Sequence, residues 1–238
     1  MPVITYSTTC LRNERIAPDI WEFTLQKPEG FTFKPGQFVL FDVALIENPS
    51  DVQTRAFSIA STPNEQELLF VAKMLKGGRA SRWIEEVLRP GVTVSMKGPF
   101  GRFLLDRETQ NEYLFIATST GNAPFRSQIL SVLSEGDTRR IDFVFGVRTE
   151  ADLFWVTYFE DASKKYPNFF LHVALSQPSP AWTGHKGRVQ TLVPQITKDF
   201  SRKTVYVCGS PDMTKELKER AMHQWGVDKK NLHVEGYI

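Results

Sequence analysis

Short apolar segments alternate with polar turns over the first hundred residues. Residues 37–43 follow a Pro-Gly pair and form an apolar segment typical of a β-strand, and three further segments have the same character, at 55–60, 68–74 and 92–97. One helix is predicted over 81–88, after two glycines and before Pro90. Several short strands at near-regular spacing favour a β-barrel or a β-sandwich.

Beyond residue 108 the pattern changes to apolar strands that alternate with amphipathic helices. Strands are predicted at 113–117, 141–147, 169–175, 204–208 and 232–235, and helices at 123–133, 150–165, 189–196 and 211–225. That alternation predicts a parallel sheet with helices on its faces. The sequence therefore predicts a β plus α/β protein of two domains: a β-barrel at 1–107 and a nucleotide-type α/β domain at 108–238.

The composition is that of a folded protein without a strong electrostatic preference. Hydrophobic residues make up 41% of the 238 residues and charged residues 24%, which excludes extensive disorder. The net charge is +2, so nothing demands nucleic acid or anionic lipid as a partner. No segment approaches the ~20 apolar residues of a membrane-spanning helix, and the N-terminus lacks the apolar core of a secretory signal.

Cysteine and histidine are too sparse for a metal or disulfide framework. The two cysteines, Cys10 and Cys208, are far apart in sequence and have no metal-ligand spacing, and the four histidines form no zinc pattern. We therefore expect no metal site, and reduced thiols fit a cytoplasmic protein.

The first candidate motif is Arg55-Ala56-Phe57-Ser58. Strand alternation puts Arg55 and Phe57 on the same face, where a guanidinium could bind a phosphate and a phenyl ring could stack on a flat ring. Alternation points Ser58 to the other face. The alternative is a strand with an exposed arginine and a buried phenylalanine.

The second motif, Gly78-Arg79-Ala80-Ser81, opens the helix of the first half. Glycine allows a ligand to approach the backbone, and a helix N-terminus favours an anion. The alternative is a flexible turn in which Ser81 is the N-cap.

Two further motifs follow strands of the second half. Thr120-Gly121-Asn122-Ala123-Pro124 lies in the first strand-to-helix turn, where α/β proteins bind nucleotide phosphates, although it is not the G-x-G-x-x-G pattern. Cys208 stands near the carboxyl end of a later strand and precedes Gly209-Ser210-Pro211. The alternatives are an ordinary capped turn and a structural cysteine.

Taken in order, these segments resemble the ferredoxin–NADP reductase superfamily. The resemblance covers nearly the whole chain, and its pieces are residues 55–58, 78–81, 98–103, 120–124, 146–148, 152–153 and 208–213. It implies a six-stranded antiparallel barrel that binds FAD, followed by a domain that binds NAD(P)H.

The resemblance also implies roles for individual residues. Arg55 would hold the FAD pyrophosphate, Phe57 would stack on the flavin in place of the more usual tyrosine, and Ser58 would approach flavin N5. The FAD pyrophosphate would also be wrapped by the 78–81 segment. Ala56 belongs to the same motif.

For the nicotinamide cofactor, the resemblance implies that the 120–124 turn holds the pyrophosphate, and that Cys208 lies near the nicotinamide while Gly209 allows its approach. Ser210 and Pro211 belong to the same turn. Ser119 stands where the family usually has glycine. Near the C-terminus, Glu235 and Tyr237 resemble residues that cover the flavin in some members.

The choice between NADH and NADPH stays open at this point. Relatives that use NADPH have a Ser-Arg pair after the third strand of this domain, whereas this chain has Ser176-Gln177, and a 2′-phosphate favours guanidinium partners. In the other direction, Arg188 matches an arginine that touches the 2′-phosphate in some relatives, and Arg148 could also serve. The balance leans slightly to NADH.

The resemblance implies an oxidoreductase that takes hydride from NAD(P)H onto FAD and passes electrons to a separate acceptor. Two cysteines cannot ligate an iron–sulfur cluster of the plant ferredoxin type. The acceptor would be ferredoxin, flavodoxin, an oxygenase component or free flavin. A different class of function is a non-catalytic flavin-binding module or a regulatory subunit that senses nicotinamide state.

Overall fold

The computed structural model describes residues 3–44 and 47–237, which form two compact units. The first unit contains the described residues up to Leu104 together with Arg126–Ser131. The second contains Leu105–Phe125 and the described residues from Val132 onward.

The first unit is a six-stranded antiparallel sheet. Its strands are β1 (Thr5–Ala17), β2 (Ile20–Gln26), β3 (Phe38–Ala44), β4 (Val52–Ser58), β5 (Glu67–Lys73) and β6 (Thr93–Phe100), in the spatial order β4-β3-β6-β1-β2-β5. Beyond the end of β4, Ala60 donates its N–H to the carbonyl of Leu69 on β5, 2.9 Å away, and so links the two edges of the sheet. This confirms the expected antiparallel barrel.

Aromatic side chains fill the interior of the barrel. Phe23, Phe41 and Phe70 are fully buried, and their ring centroids lie 5.1–6.1 Å apart. Trp83 packs beside Phe41, with 5.8 Å between centroids. The heavy aromatic content of the sequence is therefore largely core material in this unit.

The helical segment of the first unit begins earlier than predicted. A short α-helix, α1 (Arg79–Arg82), continues into a π-helical turn (Trp83–Val87), and Gly78 is the N-cap. Ser81 is therefore not the N-cap, and that alternative is wrong. Its Oγ instead accepts a hydrogen bond from the N–H of Leu75, 2.8 Å away.

The second unit is a parallel sheet with helices. Its strands are β7 (Glu112–Thr118), β8 (Ile141–Val147), β9 (Phe169–Leu175), β10 (His185–Lys186), β11 (Lys203–Gly209) and β12 (Leu232–Gly236), in the order β10-β9-β8-β7-β11-β12. The helices are α2 (Ala123–Ser134), α3 (Val156–Lys165), α4 (Val189–Ile196) and α5 (Pro211–His223). This confirms the predicted α/β architecture.

One predicted helix of the second unit is divided in two. The prediction over 150–165 is correct only from Val156, because a 3₁₀ turn covers Glu150–Asp152 and Trp155 has a left-handed backbone with φ +59°. The carboxylate of Asp152 accepts hydrogen bonds from the N–H and hydroxyl of Thr149, which closes the turn before the helix can start.

A cluster of ionic side chains lies towards the amino-terminal ends of the parallel strands. Asp142 on β8 is only 1% exposed and contacts Arg140 and His172, at 2.8 and 3.0 Å. The ammonium of Lys203 lies 3.5 Å from the same carboxylate and 2.7 Å from Glu112. These partners hold the pKa of Asp142 well below its usual range despite its burial, so the carboxylate stays ionised.

Candidate functional site

The carboxyl ends of β7 and β11 meet at a backbone contact that requires glycine. Gly121 lies in a 3₁₀ turn, Ser119–Asn122, between β7 and α2. A Cβ on Gly121 would come within 2.3 Å of the carbonyl oxygen of Cys208. A Cβ on Gly209, where φ is +149°, would come within 2.3 Å of Thr118 Oγ1. The predicted pyrophosphate turn and the Cys208-Gly209 turn are therefore adjacent.

Buried polar groups without partners mark the same turn. Within the described part of the chain, the hydroxyl of Thr118 and both amide atoms of Asn122 are buried and have no hydrogen-bond partner. Such groups are costly unless a ligand or water satisfies them. Thr120, Ala123 and Pro124 are also buried, so their side chains shape the turn.

Ser119 adopts a backbone conformation that favours glycine. Its φ is +51°, in the left-handed region. The serine that stands here in place of the family's usual glycine is thus held in a strained backbone conformation.

The residues near the C-terminus lie beside Cys208. Cys208 and Glu235 are register partners on β11 and β12, and the N–H of Tyr237 donates to the carbonyl of Gly209 at 2.9 Å. Cys208 is fully buried, and burial, together with the charge of Glu235, raises the pKa of its thiol well above the usual value. Ser210 is exposed, and Pro211 opens α5 directly after it.

The segments that follow β8 and β9 run side by side. The N–H of Ser176 donates to the backbone carbonyl of Val147 at 3.1 Å, and the N–H of Gln177 donates to the backbone carbonyl of Arg148 at 2.8 Å. The side chains of Arg148, Ser176 and Gln177 are exposed, as is Arg188, the N-cap residue of α4.

Arg55 and Phe57 share a face of β4 in the first unit. They pair with Phe41 and Val39 of β3. The ring of Phe57 is half-buried and packs against Phe23 and Phe41, at 5.5 and 5.7 Å between centroids.

The other residues of the Arg55–Ser58 motif differ in their contacts and exposure. The guanidinium of Arg55 donates to the carbonyl of Thr54 and to Gln53 Oε1, at 2.9 and 2.7 Å. Ser58 is 8% exposed, and Ala56 is exposed.

The Gly78–Ser81 segment lies at the start of α1. Arg79 is bound by Asp51, through the carbonyl at 2.7 Å and the carboxylate at 2.5 Å. This ion pair ties α1 to the residues just before β4. With its guanidinium so engaged, Arg79 could meet an anion mainly through its backbone N–H, as could Ala80.

Two contacts of charged side chains near these segments have little or no signal in the sequence. Arg126, which belongs to the first unit, donates to the carbonyl of Ala60 at 2.8 Å and to both carboxylate oxygens of Glu65. Glu150 binds Ser179 in the second unit. The only sequence signal for Arg126 is that it is the one charged residue of its helix, and nothing in the sequence marks the contact of Glu150 with Ser179.

The described residues also bear on the requirements of a metal site and of a membrane-spanning helix. Residues 3–44 and 47–237 contain no group of three or more histidine, cysteine, aspartate or glutamate side chains that could hold a metal ion. None of the helices in that part of the chain has both the length and the apolar character needed to cross a bilayer.

Comparison with known proteins identifies the family. Residues 9–104 match the oxidoreductase FAD-binding domain and residues 115–219 the oxidoreductase NAD-binding domain. The ferredoxin–NADP reductase B of Sorangium cellulosum is 30% identical over 231 residues, which is 93% of each chain. The chain belongs to the ferredoxin–NADP reductase superfamily. A member with these two domains is an NAD(P)H-dependent flavoprotein reductase that uses FAD.

Two longer proteins are also similar to this superfamily member. The phenol hydroxylase P5 protein of Acinetobacter pittii is 30% identical over 98% of this chain, and the phenol 2-monooxygenase reductase component DmpP of Pseudomonas sp. is 33% identical over 83%. The chain spans 65% and 56%, respectively, of the lengths of these two relatives.

Solved structures share the fold of this reductase. The ferredoxin NADP⁺ reductase of Neisseria gonorrhoeae, solved with FAD and NADP, superposes with a TM-score of 0.85 at 18% identity, covering 98% of both chains. The cytochrome P450 reductase GcoB of Amycolatopsis gives a TM-score of 0.88 at 24% identity, covering 99% of this chain and 70% of GcoB.

The residues present fit the two cofactors. Gly121 and Gly209 allow the two turns to pack closely at the carboxyl ends of β7 and β11, and the buried polar atoms of Thr118 and Asn122 without hydrogen-bond partners there could be satisfied by a dinucleotide. In the first unit, the half-buried ring of Phe57 and the guanidinium of Arg55 supply the stacking and phosphate-binding groups that a flavin dinucleotide needs.

Proposed function

We propose that the chain oxidises a nicotinamide dinucleotide through FAD and reduces a separate ferredoxin-type iron–sulfur protein. The 238 residues contain two cysteines, so they do not supply four thiolates for a cluster of their own. The relative matched over 93% of its own length is a ferredoxin–NADP reductase, whereas the matched phenol hydroxylase and phenol 2-monooxygenase proteins are longer than this chain. This supports ferredoxin, in preference to an oxygenase component, as the electron acceptor.

In this proposal, residues 1–107 bind FAD. When bound, FAD supplies a ring that accepts hydride and releases electrons one at a time. Phe57 would stack on that ring, Arg55 would bind a phosphate, and the hydroxyl of Ser58 would lie near N5. The backbone N–H groups of Gly78–Ser81 would meet the pyrophosphate.

Residues 108–238 would bind the nicotinamide dinucleotide. The Thr120–Pro124 turn would accept the pyrophosphate, because its N–H groups lie at the start of α2. Gly209, with Ser210 and Pro211, would let the nicotinamide reach the backbone, and Cys208 would pack beside it as an uncharged thiol. Glu235 and Tyr237 would border the same position.

The observation that carries this proposal is the contact between Gly121 and the carbonyl of Cys208. It places two glycine turns from separate strands at the ligand edge of a parallel sheet, where dinucleotides bind.

Reconstitution with FAD, followed by nicotinamide oxidation, tests the proposal. We expect the protein to retain FAD through gel filtration and to oxidise NADH or NADPH with ferricyanide. A plant-type ferredoxin, a flavodoxin and free FMN are then compared as acceptors, and we expect ferredoxin to give the highest turnover. Failure to retain FAD would refute the proposed function. Preference for free FMN would refute the acceptor, and slow turnover with every acceptor would indicate a nicotinamide-sensing subunit.

A further inference from the structure

The carboxylate of Glu150 occupies an anion-binding arrangement built from the loop after β9. Its Oε1 accepts hydrogen bonds from the N–H and hydroxyl of Ser179, at 3.0 and 2.6 Å, and its Oε2 lies 3.2 Å from the same N–H. The positive charge of Lys186 on β10 acts on the same carboxylate, whose pKa is lowered chiefly by the Ser179 hydroxyl. Backbone N–H, hydroxyl and ammonium groups are the donors that typically bind a phosphate.

The position of Glu150 in the sheet relates it to the ribose of a dinucleotide. In open α/β sheets the pyrophosphate lies at the first strand-to-helix turn, and the residue that meets the ribose 2′ position follows the next strand. Here the first turn contains Gly121, the next strand is β8, and Glu150 comes three residues after β8 ends. Hydrogen bonds from Ser176 and Gln177 bring the loop after β9 to the same end of β8.

We infer that Glu150, held by Ser179, is a specificity-determining residue that makes this reductase select NADH over NADPH. A ribose 2′-hydroxyl can donate to a carboxylate, whereas a 2′-phosphate brings about −1.5 to −2 charges to a position where the chain already supplies an anion. The inference rests on the proposed nicotinamide oxidation and assigns its substrate.

The other charges around this position act in the opposite direction. Arg148, Lys186 and Arg188 are exposed cations of the same unit. These cations would attract a 2′-phosphate once the carboxylate is removed. The discrimination therefore depends on Glu150, and its removal should reverse or narrow the preference.

Binding of adenosine nucleotides tests this without turnover. Isothermal titration calorimetry is performed with 5′-AMP and 2′-phospho-AMP on the FAD-loaded protein. We expect the wild type to bind 5′-AMP more tightly, and Glu150→Gln and Glu150→Ala to shift the ratio of dissociation constants at least about tenfold towards 2′-phospho-AMP. The ratio of kcat/KM for NADH and NADPH should shift in the same direction. Glu150→Gln keeps the size of the side chain and an acceptor for Ser179.

Asp161→Asn provides the matched control. Asp161 is an exposed carboxylate of the same unit, paired with Lys164 at 2.8 Å, so this substitution changes the net charge by the same amount. We expect no shift in either ratio. A wild type that prefers 2′-phospho-AMP, a ratio unchanged within twofold in both Glu150 variants, or an equal shift in Asp161→Asn would overturn the inference. If the wild type binds neither nucleotide and oxidises neither cofactor, the proposed function itself fails.

Discussion

Gly121 lies so close to Cys208 that a single methyl group on it would come within 2.3 Å of the Cys208 carbonyl oxygen. Neither partner can yield easily, because the clash is with backbone. The contact joins the ends of β7 and β11, and the absence of a side chain is what allows it.

Replacing this glycine should impair nicotinamide binding selectively. We expect Gly121→Ala to lower kcat/KM for the nicotinamide cofactor at least about tenfold, because displacement of the turn misaligns the bound dinucleotide. FAD retention, measured by absorbance after gel filtration, should be unchanged. Gly136→Ala is the control: its φ is +79°, but a Cβ there meets nothing within 4 Å, so stability should fall while kcat/KM does not. Equal kinetics in the two variants would contradict the prediction.

The strained backbone of Ser119 provides a second test. Because its φ of +51° favours glycine, we expect Ser119→Gly to keep or raise the free energy of unfolding, by at most about 1 kcal/mol. Ser119→Val should lower it by at least about 1 kcal/mol, because a β-branched residue tolerates this conformation poorly. Urea unfolding gives both values. Indistinguishable midpoints for the glycine and valine variants would show that the conformation carries no strain.

Arg55 should contribute to the retention of FAD. Loss of one charge-assisted phosphate contact costs about 1.5–3 kcal/mol, so we expect Arg55→Ala to raise the dissociation constant roughly tenfold to a hundredfold. Flavin fluorescence during titration of the apoprotein measures it. Arg89→Ala removes an exposed arginine of the same unit and should leave the affinity unchanged. An Arg55→Ala variant that binds FAD like the wild type would disprove the assigned role.

Both thiols should be unreactive in the folded protein. Cys10 and Cys208 are buried, and burial raises the pKa of each, so little thiolate exists at pH 8. We expect no reaction with Ellman's reagent over an hour under native conditions and two thiols per chain in denaturant. Rapid reaction of one thiol in the native protein would show that Cys10 or Cys208 is accessible and would contradict the prediction.

Asp106 should make stability depend on acid pH. Its carboxylate accepts hydrogen bonds from the backbone N–H groups of Glu108 and Thr109 and from the hydroxyls of Thr109 and Thr204, which lower its pKa to about 2. A lowered folded-state pKa stabilises the fold above the unfolded value near 3.9, and this contribution is lost as the pH falls towards 2.

We therefore expect Asp106→Asn to lower the unfolding free energy at pH 7 by roughly 1 kcal/mol, allowing for solvent screening of a half-exposed group. The difference from the wild type should vanish between about pH 4 and pH 2, as measured by urea unfolding. A difference that persists at pH 2 would mean that the amide disturbs the turn for a reason other than charge.

The second unit was more predictable from sequence than the first. The strands Ile141–Val147 and Phe169–Leu175 and the helix Val189–Ile196 match their predicted bounds. The two strands are largely apolar runs, as is typical of parallel sheets, and the helix has an apolar face that is buried. β1 and β2 were not recognised individually, since Thr5–Ala17 is largely polar along its 13 residues.

The sequence likewise predicts one part of the candidate site and not another. The glycine turns after the strands are predictable from sequence, because the conformation and close approach of the backbone there require glycine. The bond between Glu150 and Ser179 could not be, because it joins residues 29 positions apart through side-chain geometry alone. The broken start of α3 was missed because Leu153 and Phe154 continue the apolar pattern, while the left-handed turn at Trp155 leaves no sequence signal.

The ionic cluster around Asp142 has a consequence for how such a reductase can diversify. Asp142, Lys203 and Glu112 lie towards the amino-terminal ends of the strands, whereas Gly121, Cys208 and the other residues proposed to bind the nucleotide lie at the opposite edge. Substitutions that retune coenzyme choice need not disturb the ion pairs of Asp142 with Arg140, His172 and Lys203. Variants of the one edge can therefore be made while the ion pairs of Asp142 at the other edge stay in place.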